Sequence, residues 1–270
     1  LLTLLAAARW LTVLLPGYIH PDEFFQGPEP MAHDVLGLRA TIPWEFAEKP
    51  PCRSVVSALL TSGIPLLCVR LLGTALQPRH LGSAVLLAPR IWMVALSFIG
   101  NLTIDQLCSS FGQRSAAEPA LLVFGSAWPC LLMSSRPFSN SMEAALLAAA
   151  LLVSLGRRPK HSIVGERRST HSKRGVAVVS GDCCSGAQWR WFGFIGALGL
   201  FTRFTFVIFG GVLGCSMIID ASNALLLQRQ EATAPATNHG GRTCRLCRGI
   251  CWWWPLAVNV LGGVAVFSTT

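Results

Sequence analysis

Residues 81–104 read LGSAVLLAPRIWMVALSFIGNLTI, an apolar run whose one charged group is Arg90. A helix that crosses a bilayer needs about 20 mostly apolar residues, so this run is long enough to span. Working outward, the same reading picks out Leu1–Gly17, Ser54–Leu76, Pro119–Met133, Ser139–Leu155, Trp191–Ile219 and Trp252–Phe267, about seven spans with two of them short. The chain is 52% hydrophobic and 13% charged, against about 25% charged in a soluble domain, and its mean hydropathy is +0.51. Those figures exclude a disordered chain, a disulfide-stapled secreted module and an ordinary cytosolic enzyme. The expected fold class is all-α, a polytopic bundle of membrane helices forming one domain over residues 1–270. A start at Leu1 without Met, and a stop at Thr270 directly after an apolar run, give the expectation that the chain is a piece of a longer protein.

The formal charge of +9 is unevenly placed. Eight of the 22 basic residues lie between Arg157 and Arg190, in a Ser- and Gly-rich stretch that reads as a flexible loop, against only Glu166 and Asp182. Basic clusters between apolar spans mark loops that stay cytoplasmic or meet anionic headgroups. No finger spacing or stacking-aromatic pattern accompanies them, so nucleic acid is excluded as a partner. The trio Cys244, Cys247 and Cys251 has metal-like spacing but runs directly into Trp252, Trp253 and Trp254, an interfacial belt; a juxtamembrane thiol cluster fits better than zinc. No metal site is expected.

The hydrophilic stretch from Tyr18 to Arg53 holds six of the thirteen acids, Asp22, Glu23, Glu29, Asp34, Glu45 and Glu48. An acidic loop in a basic chain belongs on the non-cytoplasmic face, which makes this first loop lumenal. The parity of the spans that follow is left open. If Pro119–Met133 and Ser139–Leu155 both cross, the basic loop becomes lumenal against its charge. Counting the two as one re-entrant hairpin returns it to the cytoplasm.

The densest titratable cluster is HPDEFFQGPE, residues 20–29, with His33 just beyond. Pro21 suits the first position of a helix and acids in a first turn answer the helix dipole, so a capped interfacial helix accounts for one carboxylate. The rest, placed where a span leaves the membrane, suit a general base acting on a sugar hydroxyl beside a lipid-anchored donor. Arginines within spans are expensive, about 2.5–3.5 kcal/mol on insertion scales. Arg90, Arg136 and Arg203 therefore need partners: a donor phosphate for one of them, or Glu143, Asp105 or backbone carbonyls. Arg136, with Asn140 and Glu143 on one helical face, is the strongest candidate. Trp44, Glu45 and Phe46 read first as an interfacial anchor. The sequon Asn101-Leu102-Thr103 sits at the edge of an apolar run and is expected to be unmodified.

The words HPDEFFQGPEPMAHDVLG, IPWEF and PCRSVV resemble the first lumenal loop of the family 22 glycosyltransferases, multi-span GT-C enzymes of the endoplasmic reticulum that take mannose from dolichyl-phosphate mannose. SSRPFSNSMEAALL, residues 134–147, is similar to a second family segment, with Pro137 where Thr is usual. Ala88-Pro89-Arg90 ahead of Ala95-Leu96-Ser97-Phe98 resembles a third, with Asn101 where an acid is usual, and Thr202-Arg203-Phe204 resembles a fourth more weakly. The first-loop words look most like the members that add a fourth mannose to the GPI-anchor precursor. The resemblance implies an N-terminal half of a GT-C helix bundle in the reticulum membrane, with short interfacial helices on its lumenal first loop. It implies an inverting transfer that makes an α-1,2 link, with a lipid-linked donor and no other cofactor. The partners implied are dolichyl-phosphate mannose, a GPI glycolipid intermediate and the bilayer. Asp22 is the implied base and Glu23 the second catalytic carboxylate, orienting a hydroxyl or partner; His20, Gln26, Glu29, Trp44, Arg53, Arg136 and Asn140 are the implied substrate-binding residues. Other family 22 mannosyltransferases of GPI or lipid-linked oligosaccharide synthesis are the nearest alternative. A transporter or scaffold is the different-class alternative, for which no inverted half-repeat is visible.

Overall fold

The computed structural model describes residues 1–47, 52–72, 78–155 and 186–233. Among them every regular element is helical. Helix α1, Leu2–Leu11, runs into a 3-10 turn at Thr12–Leu14. The first loop then forms three short helices, α2 at Asp22–Phe25, α3 at Pro28–Leu36 and α4 at Trp44–Ala47. Helix α5, Val55–Ala58, passes through a π turn at Leu59–Gly63 into α6, Ile64–Leu72. Helix α7, Pro78–Ser110, is the long central element, 33 residues and hence about 50 Å. Helices α8 (Ala117–Ser126), α9 (Trp128–Leu132), α10 (Ser139–Leu155), α11 (Gly186–Thr202) and α12 (Phe206–Thr233) follow.

By length and composition, Val55–Leu72, Leu81–Ser110 and Phe206–Asn223 are able to cross a membrane; Leu2–Leu14 and Ser139–Leu155 are shorter apolar helices. Three expected spans come out differently. Trp191–Ile219 is no single span but a helical hairpin that breaks between Thr202 and Phe206. Phe206 causes the turn to pack tightly, its ring lying where a Cβ on Gly199 or Gly210 would sit, 2.5 Å away. The hairpin closes on α10 through a cluster of Ala150, Phe192, Phe206 and Met217. Pro119–Met133 is bent by 70° between Ser126 and Trp128. Pro129 has no N–H to give the carbonyl of Gly125, so the helix stops there and restarts. The bend lies within this segment, and α10 is a separate helix. Leu1–Gly17 is helical only to Leu14, and its last residues unwind toward the loop.

The loop helices dock because α3 is amphipathic. Its Met31 and Ala32 pack against Ala58 and Leu66, with Val85 of α7 alongside. The π turn below them leaves a backbone carbonyl without its helical partner, and Trp92 Nε1 donates to Leu60 O at 2.8 Å. Thr103 Oγ1 donates within reach of Ile99 O and Ala148 O, 2.8 and 2.9 Å, tying α7 to α10. Thr103 is buried, so the sequon lies inside a packed helix. The Trp252–Phe267 span, the cysteine trio and the basic stretch up to residue 185 lie outside the described residues; Gly186–Arg190 belong to α11.

Candidate active site at the first loop

The two adjacent carboxylates of the first loop point opposite ways. Glu23 is 1% exposed, whereas the side chain of Asp22 is 46% exposed. Successive residues on a helix stand about 100° apart, so a one-turn helix laid on a protein surface turns one inward and leaves the other out.

The buried carboxylate is fully occupied. Glu23 Oε1 accepts from Arg90 Nη2 at 2.8 Å, Arg90 Nε at 3.2 Å and Arg136 Nη1 at 3.0 Å. Glu23 Oε2 accepts from the backbone N–H of Ile19 at 3.1 Å. The guanidiniums also reach the unwound end of the first helix. Arg90 donates to Leu15 O at 2.9 Å and Gly17 O at 2.6 Å, and Arg136 to Gly17 O at 3.1 Å. Both arginines are 2% exposed. Isolated charges this deep would be prohibitive, but one carboxylate between two guanidiniums, with carbonyls for the remaining protons, satisfies most of the group. The sequence reading offered Glu143, Asp105 or carbonyls as partners and missed Glu23. The available signal was that two intramembrane arginines require an anion.

The open carboxylate has light contacts. His20 Nδ1 accepts from the Asp22 backbone N–H at 3.3 Å and lies 3.6 Å from Asp22 Oδ1. Gln26 closes α2. Glu29 accepts from Thr41 N at 3.0 Å, Arg53 pairs with Glu45 at 2.9 Å, and Trp44 stands exposed. His33 pairs with Asp34 at 2.9 Å on the surface. A cleft of about 490 Å³ runs between the loop and α7; Phe25, Leu38 and Leu86 line it, with Glu23, Glu29, Arg39 and Arg90 supplying charge.

The third arginine is placed differently. Arg203, at the turn of the α11–α12 hairpin, pairs with Glu143 at 3.3 Å and donates to Asn140 Oδ1, and its side chain is 35% exposed. Thr205 Oγ1 donates to Glu143 at 2.6 Å. Pro137 O lies 3.4 Å from the Cβ position of Gly27, so the segment from Pro137 to Asn140 touches the acidic loop at one end and Arg203 at the other. Arg136, first choice for a donor phosphate from sequence, is committed to Glu23, and Asn140 to Arg203. A third buried arginine is Arg9, the only charge of the apolar run Leu1–Gly17. Arg9 donates to Ser97 Oγ and Asn101 Oδ1, both at 3.2 Å, and stacks 4.9 Å from the centre of the Phe98 ring.

Compared with known families, residues 1–230 match the Alg9-like mannosyltransferase family. The chain belongs to that family. As an Alg9-like chain it is similar to human GPI alpha-1,2-mannosyltransferase 4, 37% identical over 215 residues, which are 77% of this chain and 34% of the relative. It is similar to Drosophila melanogaster GPI mannosyltransferase 4, 37% identical over 148 residues, 52% of this chain and 21% of the relative. The Eremothecium gossypii protein of that name is 28% identical over 220 residues, 78% of this chain and 37% of the relative. The Alg9-like chain thus spans about a third of the length of the curated relatives it matches. No solved structure matches it. The all-α helical architecture with membrane-length helices fits the GT-C type expected from the first-loop words.

Proposed function

We propose that the chain is the N-terminal part of a mannosyltransferase of the endoplasmic reticulum membrane that adds the fourth mannose of the GPI precursor, with its first loop in the lumen. The reading is supported by its similarity to proteins named GPI mannosyltransferase 4 in human, fly and fungi and by the division of labour between Asp22 and Glu23. That division is the observation that carries the mechanism. A base must touch the proton it takes, and of the two carboxylates only Asp22 has open surface.

Asp22 takes the proton of the 2-hydroxyl on the third mannose of the acceptor. The oxygen attacks the anomeric carbon of dolichyl-phosphate mannose, the C–O bond to phosphate breaks, and dolichyl phosphate leaves with the bond's electron pair. One displacement inverts the anomeric centre and forms the α-1,2 link. Arg203 is assigned to the donor phosphate, because Arg90 and Arg136 are 2% exposed and held by Glu23 and backbone oxygens while the side chain of Arg203 is 35% exposed. An arginine fork grips phosphate oxygens in pairs. The apolar wall of the cleft beside the loop suits part of a lipid-linked substrate.

The test is expression of the full-length protein with Asp22→Asn in cells lacking the endogenous enzyme. Accumulation of the three-mannose glycolipid at normal protein levels is expected, and normal conversion would remove Asp22 as the base.

A further inference from the structure

We propose that Glu23, Arg90 and Arg136 are positioning residues for Asp22, a buried ionic clamp that fixes the one-turn helix carrying the base. The inference rests on the reading of Asp22 as that base. Helix α2 has four residues, whereas isolated helices shorter than about 12–15 residues are marginal in water. The bonds of its own turn, such as Gln26 N to Asp22 O at 3.1 Å, are too few to fix Asp22 by themselves, and among the described residues its carboxylate has an ion-pair contact with His20, at 3.6 Å. The fixing contacts come from the next residue. Glu23 is bonded by Arg90 from the middle of α7 and by Arg136 from the turn before α10. The same guanidiniums take Leu15 O and Gly17 O. The clamp therefore holds both ends of the stretch from residue 15 to residue 23, which carries Asp22, against α7 and the turn before α10, neither of which belongs to the loop.

Stability alone does not explain such a cluster. Replacing a buried ion triad with apolar residues of similar volume is often neutral or stabilising, while removing a single member leaves an uncompensated charge and is strongly destabilising. The clamp thus separates stability from rate. The two arginines also differ in geometry. Arg136 makes both contacts through one nitrogen, Nη1, which a lysine ammonium imitates. Arg90 uses Nε, Nη1 and Nη2 on three different oxygens, a fork that a point cation does not reproduce.

The experiment uses the full-length protein in membranes from cells lacking the endogenous enzyme. It reads kcat per folded molecule, KM for dolichyl-phosphate mannose, and heat resistance. Glu23→Gln is expected to lower kcat about tenfold or more, while KM for the donor moves by less than about threefold. Arg90→Lys is expected to fall about tenfold further in kcat than Arg136→Lys. The combined Glu23→Leu, Arg90→Met, Arg136→Met variant is expected to regain the heat resistance lost in Glu23→Gln and not its kcat. A combined variant that regains both overturns the inference. So does equal kcat in Arg90→Lys and Arg136→Lys, a comparison that holds even where the combined variant does not fold. The underlying base reading fails separately, if Asp22→Asn keeps transfer; Asp22→Asn inactive beside Glu23→Gln at full kcat would leave the base and remove the clamp.

Discussion

Gly27→Ala is the smallest perturbation that tests how the first loop is seated. Gly27 separates α2 from α3 and is pressed against the π turn. A Cβ there would stand 2.8 Å from Ser62 Oγ, 3.0 Å from Thr61 Oγ1 and 3.4 Å from Pro137 O. Ser62 and Thr61 are buried, and Thr61 Oγ1 is bonded to Ser57 O at 2.9 Å. Neither hydroxyl has solvent to withdraw into, and Pro137 O is backbone. Overpacking of this kind costs about 1–3 kcal/mol, a factor of about 5 to 150 in an equilibrium constant. The strain falls on the contact that holds the loop, so transfer activity should become heat-labile at a lower temperature than helix melting would indicate. The assay is heat inactivation of the full-length protein in membranes, with Gly27→Ala, Ser62→Ala and the pair. Ser62→Ala removes the nearest atom and should return a large part of the loss in the double variant. A Gly27→Ala protein as heat-resistant as its parent, or a double variant no better than the single, would refute the close docking of loop on π turn.

Further outcomes follow from the same contacts. Asn101→Asp gives the buried Arg9 an anionic acceptor in place of a neutral one at 3.2 Å, adding charge–charge attraction to a bond that already has a charged donor, so heat resistance should rise, and a fall would contradict the contact. Gly199→Ala puts a Cβ 2.5 Å from the Phe206 ring and should destabilise the α11–α12 hairpin by about 1–3 kcal/mol, read as faster protease cleavage near residue 203. Arg203→Gln should raise KM for dolichyl-phosphate mannose about tenfold, the loss of a charge-assisted pair of hydrogen bonds, measured on labelled donor; an unchanged KM would take the phosphate away from Arg203.

Much of the helical frame is legible in the sequence. The apolar run Ser139–Leu155 is a helix with those bounds, and Leu81–Ile104 lies inside the longer α7 because polar residues at its ends carry the helix on. The bend before Trp128 is written in Pro129. The break at 203–205 is not, since Arg-Phe-Thr contains neither Pro nor Gly; it depends on Glu143 and Asn140 drawing Arg203 to α10 and on room for Phe206 against Gly199. At the site, the acidic cluster of the first loop stands out by charge alone. Which of two adjacent acids turns inward is invisible, because it depends on two arginines that arrive from 67 and 113 residues away. Arg9 stands out as the only charge of the first apolar run, but its partners are hidden, for Ser97 and Asn101 carry no charge to announce them.

The most direct measurement is transfer of labelled mannose from dolichyl-phosphate mannose to a three-mannose GPI acceptor by the full-length protein, alongside a two-mannose acceptor and Asp22→Asn. One hexose added to the three-mannose acceptor, removable by an α-1,2-specific mannosidase and absent with Asp22→Asn, is the expected result. Transfer only to the two-mannose acceptor, or undiminished transfer by Asp22→Asn, would contradict it.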